Sequence, residues 1–185
     1  MHSTEHAYKI EREEAANLTV NPSFEDEPTD DDPVPGWRIN IPEDKGRATL
    51  WRRTGSDGGD RVLGITKYSN HQGYLGEYQV PIIPTMEGEE FYAEVMIQPP
   101  TAGGVRAPNK AHIGAYVFME NEPNKYMFIH TEGSIKPGWN KLSGYFKMPK
   151  GATGVRFGLG LSDYTRNEVR CYYDMFHVRS KAVGT

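Results

Sequence analysis

Short runs of apolar and β-branched residues alternate with glycine, proline, asparagine and aspartate along this chain from Leu18 onward. Short runs between turn-forming residues are typical of a sandwich or barrel built from many strands. No internal repeat and no second domain is visible in the pattern, so one β domain is predicted. Eleven strands are predicted, over residues 18–20, 37–39, 48–53, 61–66, 74–80, 91–98, 111–119, 126–131, 141–148, 154–161 and 170–179.

Alternation within these strands separates buried from outward-facing side chains, because successive residues of a strand point to opposite faces of the sheet. In strand 91–98 every second residue from Phe91 is apolar, and the residues between are mostly polar or aromatic. In strand 154–161 the outward positions include Gly158 and Gly160, which would keep the sheet surface low. The outward-facing aromatic and hydrogen-bonding candidates are Trp51, Tyr92, Glu94, Gln98, His112, Tyr116 and Arg156.

Composition narrows the class of partner. A length of 185 residues suits one domain. The net charge of −4 and the scattered basic residues lack the clustered Lys and Arg of a nucleic-acid interface. No apolar run approaches the ~20 residues that cross a membrane. The single cysteine, Cys171, lies in an apolar strand pattern and is predicted to be a small buried residue without a redox role.

Residues 1–16 are charged throughout and too short to hold an isolated helix. They are predicted to form an N-terminal arm, followed by a domain over residues 17–185. The arm has no apolar centre like that of a signal peptide. We therefore expect either a module of a larger secreted, extracellular protein or a component of a virion surface, whose arm contacts a capsid or neighbouring subunits.

Several motifs, in a fixed order, resemble those of a known family. They are Asn-Pro-Ser-Phe-Glu (21–25), Pro-Gly-Trp (35–37), Gly-Asp-Arg-Val-Leu-Gly-Ile (59–65), Gly-Glu-Glu-Phe-Tyr-Ala-Glu-Val (88–95), Gly-Trp to Phe (138–146) and Tyr-Tyr-Asp (172–174). Together they resemble the galactose-binding-like jelly roll of carbohydrate-binding modules of families 4, 9 and 22. The resemblance covers nearly all of the chain after Asn17. It implies an all-β jelly-roll sandwich that binds a polysaccharide or glycan without catalysis.

The resemblance also implies a structural calcium ion where the first and last strands meet. Calcium prefers six to eight oxygen ligands, and Glu25 and Asp174 are the implied carboxylates, with Asp57 or Asp60 and carbonyls of the turn 55–59 completing the set. Met175 departs from the pattern, since many relatives carry a second acid there. The acidic run 26–32 is expected to be a solvated loop. Trp37 and Trp139 are expected to fill the interior, as in the family.

The outward-facing candidates suit a sugar ligand. Sugars have apolar C–H faces and rims of hydroxyl groups, so they need flat aromatic platforms and planar hydrogen-bonding groups. Trp51, Tyr92 and Tyr116 are predicted to stack on sugar rings. The hydrogen-bonding residues would be Glu94, Gln98, His112 and Arg156.

The alternative prediction is a structural virion protein that decorates a capsid or tail. In that case Trp51 would anchor an interface with a neighbouring subunit. No zinc-hydrolase motif, phosphate-binding loop or nucleophile elbow occurs in the sequence. A non-enzyme is therefore predicted under either alternative.

Overall fold

Residues 17–101 and 103–181 are described in a computed structural model, and the predicted arm over 1–16 lies outside them. This part of the chain contains strands, turns and bends but no α-helix, and hence no helix that could span a membrane. The strands are β1 (Trp37–Arg38), β2 (Gly46–Arg52), β3 (Arg61–Lys67), β4 (Gly73–Gln79), β5 (Ile83–Pro84), β6 (Glu90–Gln98), β7 (Lys110–Met119), β8 (Lys125–His130), β9 (Asn140–Lys147), β10 (Ala152–Asp163) and β11 (Val169–Lys181).

The strands form two antiparallel sheets. The front sheet has the order β1-β4-β10-β7-β8, with β5 paired to β10, and the back sheet has the order β2-β3-β11-β6-β9. The front face and the back face are the outward sides of these two sheets. Neighbouring strands in both sheets run antiparallel, with β10 and β7 paired from Ser162↔Lys110 to Ala152↔Met119. The predicted all-β sandwich is therefore confirmed.

The core lies between the sheets and follows the alternation in the sequence. Every second residue of β6 from Phe91 is buried, as is every second residue of β7 from Ala111. The two layers touch where the rings of Phe91 and Phe157 lie 5.1 Å apart edge to face. Each such buried ring contributes roughly 1.5–3 kcal/mol of hydrophobic stabilisation.

The structure corrects three local predictions. Residues 18–20 form no strand, although Leu18 N–H donates to the carbonyl of Val178 at 2.7 Å. The short strand β5, which pairs Ile83 with Val155, was not predicted. Trp139 is only partly buried and lies outside the core, because it stands in the loop before β9.

Two other sequence predictions are confirmed. Trp37 is buried in the core, 5.8 Å from the rings of both Phe24 and Phe176. Cys171 is fully buried, and burial raises the pKa of its thiol to about 12. The thiol is therefore protonated at neutral pH and chemically inert.

Two buried charged groups fix loops around the front sheet. The carboxylate of Glu77 accepts the backbone N–H groups of Asn40 and Ile41 at 2.7–2.9 Å, and burial raises its pKa to about 6. The fully buried ammonium of Lys67 lies within 3.2 Å of four backbone carbonyl oxygens, which we call the carbonyl cage. The cage consists of Tyr68, His71, Thr165 and Asn167, so one side chain links the loops after β3 and β10.

Candidate functional site

The front face carries a continuous strip of aromatic side chains from three strands. It begins on β4 with Tyr74, whose ring lies 5.2 Å from Phe128 and 5.7 Å from His112. It continues through Tyr126, which lies 4.8 Å from Tyr116 and 6.1 Å from Tyr78. The strip arises because β4, β7 and β8 each place aromatic residues at alternate, outward positions. We call this set the aromatic strip: Tyr74, Tyr78, His112, Tyr116, Tyr126 and Phe128.

Glycines beneath the strip let two tyrosine rings lie flat on the sheet. A methyl group added at Gly114 would lie 2.6 Å from the hydroxyl of Tyr78, and one added at Gly158 would lie 2.7 Å from Cδ1 of the same ring. At Gly160 the added group would lie 2.9 Å from Cε2 of Tyr74. The low surface predicted from Gly158 and Gly160 is thus present in the backbone but covered by these rings.

A pocket of about 440 Å³ opens at one end of the strip. Tyr126 and Phe128 are 58% and 41% exposed, and their ring planes are parallel within 1° with centroids 6.2 Å apart. Tyr164, which follows β10 and is 70% exposed, stands at the rim. These rings offer a flat apolar surface to a ligand. The pocket is lined by Tyr74, His112, Tyr126, Phe128, Ser162 and Tyr164.

The pocket is uncharged at neutral pH. Burial, with smaller contributions from His130 and Lys110, lowers the pKa of His112 to about 4. Burial also raises the pKa of Tyr74 to about 12 and that of Tyr78 well above its ordinary value. Nε2 of His112 lies 2.8 Å from Oγ of Ser162, while its buried Nδ1 has no hydrogen-bond partner in the described part of the chain.

The structure divides the seven predicted sugar-binding residues between the two faces. His112, Tyr116 and Arg156 lie on the front face, where Arg156 on β10 pairs with Tyr116 on β7 and His112 pairs with Gly160. The remaining four lie on the back face, since β2 and β6 belong to the back sheet. One ligand molecule lying on one face cannot contact both groups. The back-face residues are Trp51, Tyr92, Glu94 and Gln98.

On the back face, the predicted residues already have partners within the protein. Tyr92 donates to Oε2 of Glu94 at 2.9 Å, and Glu94 lies 3.7 Å from the ammonium of Lys141. Trp51, which was predicted to stack on a sugar ring, is partly buried, and its Nε1 is sealed from solvent. Arg170 covers its ring with Cζ 4.3 Å from the centroid.

Sequence reasoning missed most of the aromatic strip for a physical reason. In β4 the buried positions between Tyr74 and Tyr78 include Glu77, so polarity does not mark the inner face. In β8 the inward residues Met127 and Ile129, which follow Tyr126 and Phe128, are apolar as well, so the two faces do not differ in polarity. The usable signal was the even spacing of aromatic residues, by four in β4 and by two in β8, which places them on one face of each strand.

Three of the four predicted calcium-binding carboxylates lie at one loop, residues 55–59. Asp57 belongs to this loop, and Glu25 and Asp174 lie against it. A methyl group added at Gly55 would collide with Oδ2 of Asp174 and lie 3.2 Å from Oδ1 of Asp57, and one added at Gly59 would collide with Oε1 of Glu25. Asp60 is exposed, and its backbone carbonyl accepts the N–H of Arg53.

Asp174 is the most constrained of these acids. It is fully buried, and Oδ2 accepts the N–H of Ser56 at 2.8 Å. Burial raises its pKa to about 6. Among residues 17–101 and 103–181, no three His, Cys, Asp or Glu side chains are close enough to hold one metal ion. A calcium ion here would therefore depend on backbone carbonyls of the loop as well as on carboxylates.

No protein-family model matches the sequence, and no curated protein matches it. Solved structures nevertheless share its fold. The CBM22-2 xylan-binding domain of Paenibacillus barcinonensis Xyn10C aligns with a TM-score of 0.60 at 13% identity, over 86% of this chain and 97% of that domain. The CBM22-1–GH10 modules of Clostridium thermocellum xylanase 10B, complexed with xylohexaose, align with a TM-score of 0.57 at 16% identity. That alignment covers 90% of this chain but 28% of the xylanase chain.

A viral protein is also similar. The enzymatically active domain of bacteriophage CBA120 tailspike protein 4 aligns with a TM-score of 0.60 at 11% identity, over 90% of this chain and 22% of that chain. Likeness at such low identity establishes the fold and not the activity. The chain has the jelly-roll fold of carbohydrate-binding modules, which confirms the resemblance seen in the sequence.

Proposed function

We propose that the front face binds a neutral polysaccharide or glycan without catalysing its cleavage. The observation that carries this proposal is the parallel, exposed pair Tyr126 and Phe128 at the mouth of an uncharged pocket. Two parallel rings at alternate positions of one strand suit the apolar faces of a chain of sugar rings. The xylan-binding domain that shares the fold supports the same class of ligand.

Polar groups along the strip suit the hydroxyl rim of such a ligand. The hydroxyls of Tyr74 and Tyr78 lie 3.3 Å apart, and Asn124 donates to the hydroxyl of Tyr116 at 3.1 Å. Arg156, whose Nε donates to the carbonyl of Val80, adds one guanidinium on the same face. Each of these groups has both a partner in the protein and further hydrogen-bonding capacity for a sugar.

Binding is favoured over hydrolysis by the chemistry of the pocket. Most glycoside hydrolases need two carboxyl groups that flank the bond to be broken. The described residues that line the pocket include no aspartate or glutamate.

The test uses Tyr126→Ala and Phe128→Ala, with xylohexaose and a panel of neutral glycans as ligands. Loss of one stacking ring should weaken binding about tenfold, or ~1.4 kcal/mol, in isothermal titration calorimetry. Tyr145→Ala is the matched control, because Tyr145 is 59% exposed but lies on the back sheet. Equal affinity of the front-face variants and the parent protein, or no binding to any glycan of the panel, would refute the proposal.

Calcium at the loop 55–59 is a second part of the proposal. Its support is the buried carboxylate of Asp174, which has no cationic side chain within 4 Å among the described residues. Carboxylates and loop carbonyls are the oxygen donors that calcium prefers. Calcium should raise the melting temperature of the parent protein and do so much less for Asp57→Asn. The neighbouring Asp60→Asn should respond like the parent, and no response of the parent would exclude the site.

The alternative of a virion assembly block depends on residues 1–16, which lie outside the described part of the chain. The tailspike likeness supports it only at the level of fold. Light scattering on the chain with and without residues 1–16 tests it. A multimer that becomes a monomer on removal of the arm would favour assembly, and two monomers would exclude it.

A further inference from the structure

The back face carries a layer of stacked arginine and aromatic side chains. Gly64 on β3 leaves room for the indole of Trp51, since a methyl group at Gly64 would collide with Nε1 of Trp51. The ring of Tyr172 meets the indole edge to face at 5.7 Å. We call this set the arginine layer: Arg47, Trp51, Arg53, Arg170 and Tyr172.

Each arginine of the layer is held against a ring. The guanidinium carbon of Arg53 lies 4.0 Å from the centroid of Tyr172, and that of Arg170 lies 4.3 Å from the centroid of Trp51. Arg47 lies 5.7 Å from the same indole. Hydrogen bonds fix two of the three, from Arg53 to Oε1 of Gln98 at 2.9 Å and from Arg170 Nε to Oγ1 of Thr66 at 2.8 Å.

These arginines have no acidic partner among the described residues. Ion pairs within 4.0 Å do occur on the same sheet, between Lys141 and Glu94 and between Lys181 and Glu90. The arginine layer thus keeps positive charge unpaired on a chain whose net charge is −4. A guanidinium has five N–H donors, so each stacked arginine still presents unused edge N–H groups to a carboxylate, and its fixed position lowers the entropy lost on binding.

We propose that the arginine layer is a second binding site, specific for a carboxylated polysaccharide made of uronate sugars. The arginines would bind sugar carboxylates, and the rings of Trp51 and Tyr172 would hold the guanidinium groups in position. A uronate chain carries one charge per ring, whereas duplex DNA carries one per ~1.7 Å. The lower charge density of the polysaccharide suits this protein, which is acidic overall and has only a local group of arginines. This site is separate from the front face, so each can fail alone.

The probes are polygalacturonate and its fully methyl-esterified form, compared by affinity electrophoresis at low salt with the full chain. The acidic polymer should retard the protein and the esterified polymer should not. Arg53→Gln and Arg170→Gln should each weaken binding about tenfold. Arg47→Gln, which changes an exposed side chain with little risk to folding, should weaken it about threefold.

Two controls separate the site from general charge and from the front face. Arg52→Gln removes the same charge from an exposed neighbour that lies over no aromatic ring of residues 17–101 and 103–181, and it should bind polygalacturonate like the parent. Tyr126→Ala should also bind it normally. The proposal is overturned if the parent ignores polygalacturonate, if Arg52→Gln is as weak as Arg53→Gln, or if single-stranded DNA binds more tightly than the uronate polymer.

Discussion

Replacing His112 with glutamine should remove an acid-sensitive part of the stability of the fold. His112 is 7% exposed, and burial is the main reason that its pKa falls from 6.5 to about 4. The unfolded chain therefore binds a proton more readily than the native protein between these values. The stabilisation is fully present above pH 6.5 and is lost as the pH falls towards 4.

The magnitude follows from the difference between the two pKa values. At ~1.36 kcal/mol for each pKa unit, complete protonation would cost about 3 kcal/mol, and about 2 kcal/mol of this should already be lost at pH 5. Glu77 acts in the opposite direction, because burial raises its pKa from 4.5 to about 6. The stabilisation from Glu77 is fully present below pH 4.5 and is lost as the pH rises through 6. The pH dependence of the unfolding free energy of the parent protein therefore combines the two opposite effects.

The assay is urea unfolding of the parent and His112→Gln at pH 8 and pH 5. Glutamine retains an amide that can reach Ser162 but does not titrate. The other titrating groups are common to both proteins and cancel in the difference. Between pH 8 and pH 5 the free energy of unfolding should fall about 2 kcal/mol further in the parent than in the variant. Parallel changes in the two proteins would refute the argument that His112 is held neutral by burial.

Four further substitutions test other contacts. Gly114→Ala should displace the ring of Tyr78 and so weaken glycan binding. The same crowding should lower stability by about 1–3 kcal/mol in thermal melts. Unchanged affinity would mean that the flat ring of Tyr78 has no role in binding. Trp37→Ala should lower the free energy of unfolding in urea by about 3–5 kcal/mol, and Trp139→Ala should lower it clearly less, because Trp37 is buried and Trp139 is only partly buried. The reverse order would contradict the burial of the two indoles. Lys67→Met should lower the melting temperature, because the carbonyl oxygens of the cage lose the N–H donors of the Lys67 ammonium. An unchanged melting temperature would show that water replaces the ammonium without a loss of stability.

The sequence predicted the strands well where alternation carried a contrast in polarity. Strands β6, β7 and β10 were placed within two residues of their ends because apolar inner residues alternate there with other types. Residues 18–20 failed because the Asn17 side chain accepts the N–H groups of Thr19 and Val178, in place of ladder hydrogen bonds.

The candidate site was harder to predict, because alternation gives the face of a strand but not the sheet to which the strand belongs. Tyr92 and Tyr116 both point outward, yet they lie on opposite sides of the sandwich. Arg47 lies on the same strand and face as Trp51, but Arg170, which covers the ring more closely, comes from the distant strand β11, and no local pattern could reveal it. Only the antiparallel order of the sheets brings Tyr74, Tyr126 and Phe128 together.

The carbonyl cage has a consequence for anyone who wishes to change ligand preference by grafting loops. The segment that presents Tyr164 at the pocket rim and the turn after β3 share one ammonium group. An exchanged loop that lacks these backbone carbonyl oxygens would leave the charged Lys67 ammonium buried with too few hydrogen-bond acceptors. The two connections should therefore be transplanted together, as a single cassette with the lysine included.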